Sequence, residues 1–144
     1  MYDHLRELLS HSDESVRAKA CNLIGNICRY SGYFYDALVE HGLIAAAINC
    51  CQDTDKNTRK FACFAIGNAA FHNDHLYEHL RRCVPLLVIL LKDEEEKTRA
   101  NAAGALGNFV RNSDVLCGEM IKHSALEQLL KVVQSDPAPS HSPR

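Results

Sequence analysis

The sequence predicts an all-α fold: a right-handed α-α superhelix, a solenoid of about three repeats with partial units at its ends. Two observations carry this. First, one stretch occurs three times: residues 16–30 read VRAKACNLIGNICRY, residues 58–72 read TRKFACFAIGNAAFH, and residues 98–112 read TRANAAGALGNFVRN. Stacked on the shared Gly-Asn, they align Gly25, Gly67 and Gly107, each followed by Asn26, Asn68 or Asn108. Arg17, Arg59 and Arg99 keep the same intervals of 42 and 40 residues, as do Ala20, Ala62 and Ala102. Second, each stretch is preceded by a shorter apolar segment at helical spacing. Repetition near a period of 40 residues is the mark of a helical array in which each unit buries its apolar face on its neighbour.

In order, residues 5–9 carry Leu5, Leu8 and Leu9 at helical spacing. Residues 10–15 are polar, and Ser12 or Asp13 can cap the long helix expected over 14–30. On that helix Val16, Ala20, Leu23, Ile24 and Ile27 are expected to line one face. Ser31-Gly32 ends it. A short helix over 33–41 stops at Gly42, and an apolar one follows over 43–51. The second long helix is expected over 55–72, a short one over 75–82, and VPLLVILL then places Pro85 in a first helical turn, where its missing N–H costs nothing. The acids of residues 93–96 favour the positive end of the third long helix, which runs to residue 112. Residues 114–123 and 125–134 repeat the short and apolar helices, and the Pro- and Ser-rich residues 135–144 read as a disordered tail. The expected domain is 1–134, in units of about 1–31, 32–72, 73–112 and a partial 113–134.

Composition excludes several function classes. The formal charge of −2 gives no global field to attract nucleic acid or an acidic membrane. No apolar run approaches the roughly 20 residues of a membrane span. MYDHLRELL has no basic start before an apolar core, so no signal peptide is expected. The seven cysteines are odd in number and lack any C-x-x-C, so they read as reduced thiols of a cytosolic or nuclear protein. His72, His75, His79 and Cys83 are the nearest thing to a metal cluster. A cap and Pro85 interrupt them and no second cluster completes a tetrahedral site, so no metal and no cofactor are expected. No nucleophile–base pair can be assembled, so no catalytic residues are expected.

Three helices in about 41 residues, with LIGN, AIGN and ALGN in the third, resemble the armadillo repeat. EHGLIAAAINC and VPLLVILL extend the resemblance over residues 1 to about 134. Asp53 with Arg59, and Asp93 with Arg99, are similar to the residues that form ladders between HEAT repeats, with His11 at the aspartate place in the first copy. RAKACNLIGNICRYSGYFYDAL and FAIGNAAFHND resemble the armadillo-like C-terminal region of Fused-type serine/threonine kinases. That resemblance implies a non-catalytic scaffold beside a kinase domain, in a cytoplasmic, cytoskeletal or ciliary setting. It implies signalling or kinesin-like protein partners, and no nucleic acid or membrane. No G-x-G-x-x-G, H-R-D or D-F-G is present, which agrees with a scaffold part. Alternatives are a purely structural segment that positions a catalytic domain, or a nucleic-acid-binding module.

Stacked repeats leave a concave surface lined by the third helices, where an extended or helical partner segment would lie. Positions −7, −4, 0 and +3 from each asparagine share that face. They are Lys19, Asn22, Asn26 and Arg29; Phe61, Phe64, Asn68 and Phe71; and Asn101, Gly104, Asn108 and Arg111. An amide both donates and accepts, so the asparagines could hold a peptide backbone; equally, each could bond to the neighbouring repeat. Importin-type armadillo proteins place Trp four residues before this Asn; here stand Asn22, Phe64 and Gly104, which argues against import cargo. Arg29 and Arg111 favour an acidic or phosphorylated ligand. Gly25, Gly67 and Gly107 suggest close helix approach, and Arg17, Arg59 and Arg99 read as structural. The 5–9 helix has no partner before it, so the chain is expected to self-associate through that end.

Overall fold

The computed structural model describes residues 1–30, 32–72 and 77–112, with scattered positions between 118 and 131. Most residues of the expected helices of 114–134, together with the tail, Cys117, His75 and the Asn73-Asp74 cap, lie outside the described residues. Described residues form helices and no strand. The elements are α1 (Tyr2–Leu9), α2 (Glu14–Tyr30), α3 (Tyr35–Glu40), α4 (Leu43–Asn49), α5 (Lys56–His72), α6 (Tyr77–Leu80), α7 (Val84–Leu90) and α8 (Glu96–Asn112). Single 3-10 turns, Cys50–Gln52 and Arg81–Cys83, follow α4 and α6. No helix among them is long and apolar enough to cross a membrane.

Local chemistry sets the boundaries. Asp13 Oδ1 accepts the Ser15 N–H at 2.8 Å, so Asp13 rather than Ser12 organises the start of α2. Asp55 Oδ2 accepts the Thr58 N–H at 2.8 Å and the Thr58 hydroxyl at 2.7 Å, capping α5. At the head of α8 the matching residue is Glu95, and the buried Thr98 Oγ1 has no partner among the described residues. Glutamate, one methylene longer, is a poor N-cap. Glu95→Asp is therefore expected to raise stability by about 1 kcal/mol in a urea melt, although it gives up an exposed contact with Lys56. Gly42 separates α3 from α4 at φ 74°, the left-handed region that glycine enters freely.

The three long helices lie side by side, α2 on α5 and α5 on α8, and these are the largest packing surfaces. Ala62, Ala65 and Ala69 on α5, and Ala102 and Ala105 on α8, are buried there. Small side chains let helix axes approach, and the shorter helices supply bulk behind them through Leu38, Leu43, Ile44, Leu80, Leu87 and Leu91. Tyr35 is fully buried, and its hydroxyl donates to the Cys28 and Asn68 carbonyls at 3.0 and 3.3 Å, tying α3 to the ends of α2 and α5. The six described cysteines are free and buried, and burial pushes the Cys28 thiol up to about 12.

Two expectations are corrected. Leu23 is 48% exposed, and the buried stripe of α2 runs through Ala18, Ala20, Cys21, Ile24, Gly25 and Cys28. Leu23 matches Ala65 and Ala105, which are covered by the preceding long helix; α2 has none before it here. The 5–9 helix is not left open: Leu5 and Leu9 are buried against the core, and only Leu8 stays 37% exposed.

Two sets of contacts lock neighbouring repeats. Arg17 donates from Nε and Nη2 to the Asp53 carboxylate at 2.8 and 2.9 Å. Arg59 does the same to Asp93 at 2.7 and 3.4 Å. Each aspartate carboxylate thus pairs with the arginine of the preceding repeat. The arginine six residues after it uses Nη1 on the aspartate's backbone carbonyl, at 3.0 Å for Arg59 and 2.9 Å for Arg99. Burial alone would raise the Asp53 pKa, but the hydrogen bonds from Arg17 and the Asp55 N–H outweigh it and leave it lowered. His11, at the aspartate place of the first copy, is exposed and instead accepts the Asp13 N–H.

Candidate binding groove

The second lock is made by the asparagines. Asn68 Nδ2 donates to the Gly25 carbonyl at 3.0 Å, and Asn108 Nδ2 donates to the Gly67 carbonyl at 3.0 Å. Asn101 adds a bond to the Lys60 carbonyl at 3.1 Å. A helical carbonyl has two lone pairs, so it accepts this amide while keeping its own helix bond. The amides therefore serve the stacking. Among the described residues, Asn22 and Asn26 make no side-chain hydrogen bond, and the Asn68 Oδ1 has no donor. The Asn108 Oδ1 accepts from Arg111 Nη2 at 3.1 Å.

The glycines divide. A Cβ on Gly25 would lie 2.6 Å from Phe64 Cε2 and 3.3 Å from Ala65 Cα, so the close approach holds there. At Gly67 it would meet Ala105 at 3.6 Å, an ordinary contact, and at Gly107 it meets nothing within 4 Å among the described residues. The approach is thus tightest at Gly25, and at Gly67 α8 lies in ordinary van der Waals contact with room for a methyl group.

The faces of α2, α5 and α8 line a continuous groove. Its cavities of about 340, 280 and 230 Å³ share lining residues from one to the next. Lys19, Asn22, Phe61, Phe64, Asn68, Asn101, Gly104 and Asn108 all line it. Arg29, Phe71 and Arg111 stand toward the C-terminal ends of the same helices. Asn26 is half-buried. Phe61 and Phe64 are half-buried; Phe71 is 49% exposed beneath the Arg111 guanidinium, 4.5 Å from its ring centroid.

Two cations that line it stand outside the expected positions: Lys60 and Lys97. Lys97 lies 11 residues before Asn108, three helical turns back on the same face, so extending the register by one step reaches it. Lys60 sits at the edge of that face, its ammonium 4.7 Å from the Phe61 ring centroid. With them the groove side carries five cations: Lys19, Arg29, Lys60, Lys97 and Arg111. None has an ion-pair partner among the described residues, whereas Arg17 and Arg59 are paired. Among the described residues that line the cavities, acids enter only at the helix starts, through Glu14 and Asp55. The groove is therefore cationic although the whole chain is slightly acidic.

Comparison with known proteins agrees with the helical-repeat fold. The family described as HEAT repeats matches residues 42–140, and a single HEAT repeat matches residues 1–31. Serine/threonine-protein kinase TIO of Arabidopsis thaliana is 57% identical over 130 residues, covering 90% of this chain and 10% of that protein. Serine/threonine-protein kinase 36 of Mus musculus is 36% identical over 140 residues, covering 96% and 10%. The chain thus spans about a tenth of the length of these Fused-type kinases, within their repeat region. Among solved structures, an engineered protein (target OR329) superposes with TM-score 0.89 at 23% identity, covering 95% of this chain and 56% of that one. A designed armadillo repeat protein in complex with peptide (KR)4 gives 0.88 at 26% identity, covering 96% and 59%. The architecture is an armadillo-like α-solenoid.

Proposed function

The chain belongs to the HEAT-repeat family, and on that premise we propose that it is a non-catalytic scaffold whose groove holds an extended, acidic segment of a partner protein. The observation that carries this is the set of five cations on the faces of α2, α5 and α8, none neutralised by a carboxylate of the described residues. Leaving charges unpaired along a groove costs little while they are hydrated, and it raises the local concentration of an oppositely charged ligand. The designed protein solved with (KR)4 supports a peptide as occupant, and the lysines and arginines here call for the opposite charge. In a longer chain like its relatives, the segment would serve beside a kinase domain.

The amide bonds favour a second, purely structural role for Asn68 and Asn108. The cations, not the asparagines, therefore carry the binding. The test is fluorescence anisotropy with labelled oligo-glutamate, (KR)4 and a single-stranded DNA. Oligo-glutamate is expected to bind, and to weaken about tenfold or more when salt rises to about 0.5 M, where screening cuts surface attraction. (KR)4 is expected not to bind. DNA bound in preference to any acidic peptide would replace the peptide reading with nucleic acid.

A further inference from the structure

The groove is not uniform along its length. At matched positions α5 carries Phe61 and Phe64 where α8 carries Asn101 and Gly104. Large rings on one helix face small groups on the next, and the mismatch leaves the cavity of about 280 Å³. On the other side the Phe64 ring is fixed, because it fills the space left by the missing side chain of Gly25. The cavity therefore has a rigid aromatic wall. Phe61, Phe64 and Ala100 make it apolar, Lys60 and Lys97 bring two ammonium groups, and no carboxylate lines it.

We propose that this cavity is the specificity subsite of the groove, taking an apolar side chain and a carboxylate side chain two positions apart on one extended peptide. The inference rests on the acidic-peptide reading above and adds what that reading lacks, a sequence pattern. In an extended chain, residues i and i+2 point to the same side, roughly 6.5–7 Å apart. The apolar side chain covers the Phe61 and Phe64 rings, which soluble proteins otherwise leave costly to hydrate. The carboxylate lies between the Lys60 and Lys97 ammonium groups. Asn22, whose amide makes no hydrogen bond among the described residues, is free to meet the peptide backbone.

Two probes of equal composition isolate the pattern. Leu-Ser-Glu-Ser-Leu-Ser-Glu-Ser puts every Leu and Glu on one side when extended. Leu-Glu-Ser-Ser-Leu-Glu-Ser-Ser puts them on opposite sides. The first is expected to bind about tenfold more tightly, the worth of one well-placed group. Lys60→Met with Lys97→Met should weaken it by about tenfold or more. Ala100→Met fills the cavity without touching charge; it should abolish the preference between the probes while leaving oligo-glutamate bound. None of the three positions is fully buried, and unchanged melting temperatures confirm that the variants fold. Equal affinity for both probes, or a preference that survives Ala100→Met, overturns the subsite and leaves the groove reading standing. Failure of every acidic peptide to bind overturns both.

Discussion

Replacing Asp53 with alanine is expected to destabilise the chain by about 3 kcal/mol, between the small worth of an exposed ion pair and the cost of breaking a buried one. Only 12% of the Asp53 side chain and 17% of the Arg17 side chain are exposed. The same carboxylate also accepts the Asp55 N–H at 2.9 Å, at the start of α5, so two repeats lose order together. A double-mutant cycle with Arg17→Met separates the pair from the capping bond. The pH dependence has a definite sign. The Asp53 pKa is lowered on folding, so its contribution is complete above the unfolded value of about 3.9 and is lost as pH falls through the folded one. Below about pH 4 the wild type should therefore lose stability more steeply than Asp53→Asn, as read from urea midpoints.

Equivalent glycines are expected to respond to the same substitution with opposite signs. Alanine in a helix interior is favoured over glycine by about 1 kcal/mol. At Gly67 the new methyl meets Ala105 at 3.6 Å, so Gly67→Ala should stabilise by up to about that amount. At Gly25 it must displace the Phe64 ring and lies 3.3 Å from the α5 backbone. Overpacking of this kind costs about 1–3 kcal/mol, and the shift of Phe64 would also distort the groove wall. Gly25→Leu should cost about 3 kcal/mol or more, lowering the melting temperature by about ten degrees. Equal responses at the two glycines in thermal melts would show that the repeats do not pack as described.

How much of this was readable from residues alone follows from range. The three long helices, the Asp13 cap and the all-α stack were legible because the Gly-Asn register repeats and capping is local. The partners of Arg17 and Arg59 were not fixed by the sequence. Asp53 stands six residues from Arg59, yet its carboxylate pairs with Arg17, 36 residues back. The roles of Asn68 and Asn108 were undecided for the same reason: an amide suits a peptide and a neighbouring carbonyl equally well, and only the packing of α2, α5 and α8 chooses. Lys97 was within reach of the periodicity but lay one turn beyond the positions considered. The Phe64–Gly25 fit joins a large and a small residue across repeats, and no single-repeat pattern contains it.

On the proposed reading, the joined faces of α2, α5 and α8 form one anion-seeking surface. Backbone chemical-shift mapping of the isotope-labelled chain during titration with oligo-glutamate tests it most directly. Saturable shifts concentrated around Lys19, Arg29, Lys60, Lys97 and Arg111 are expected. Shifts gathered instead on α1, α4 and α7, or no shifts at peptide excess, would contradict it.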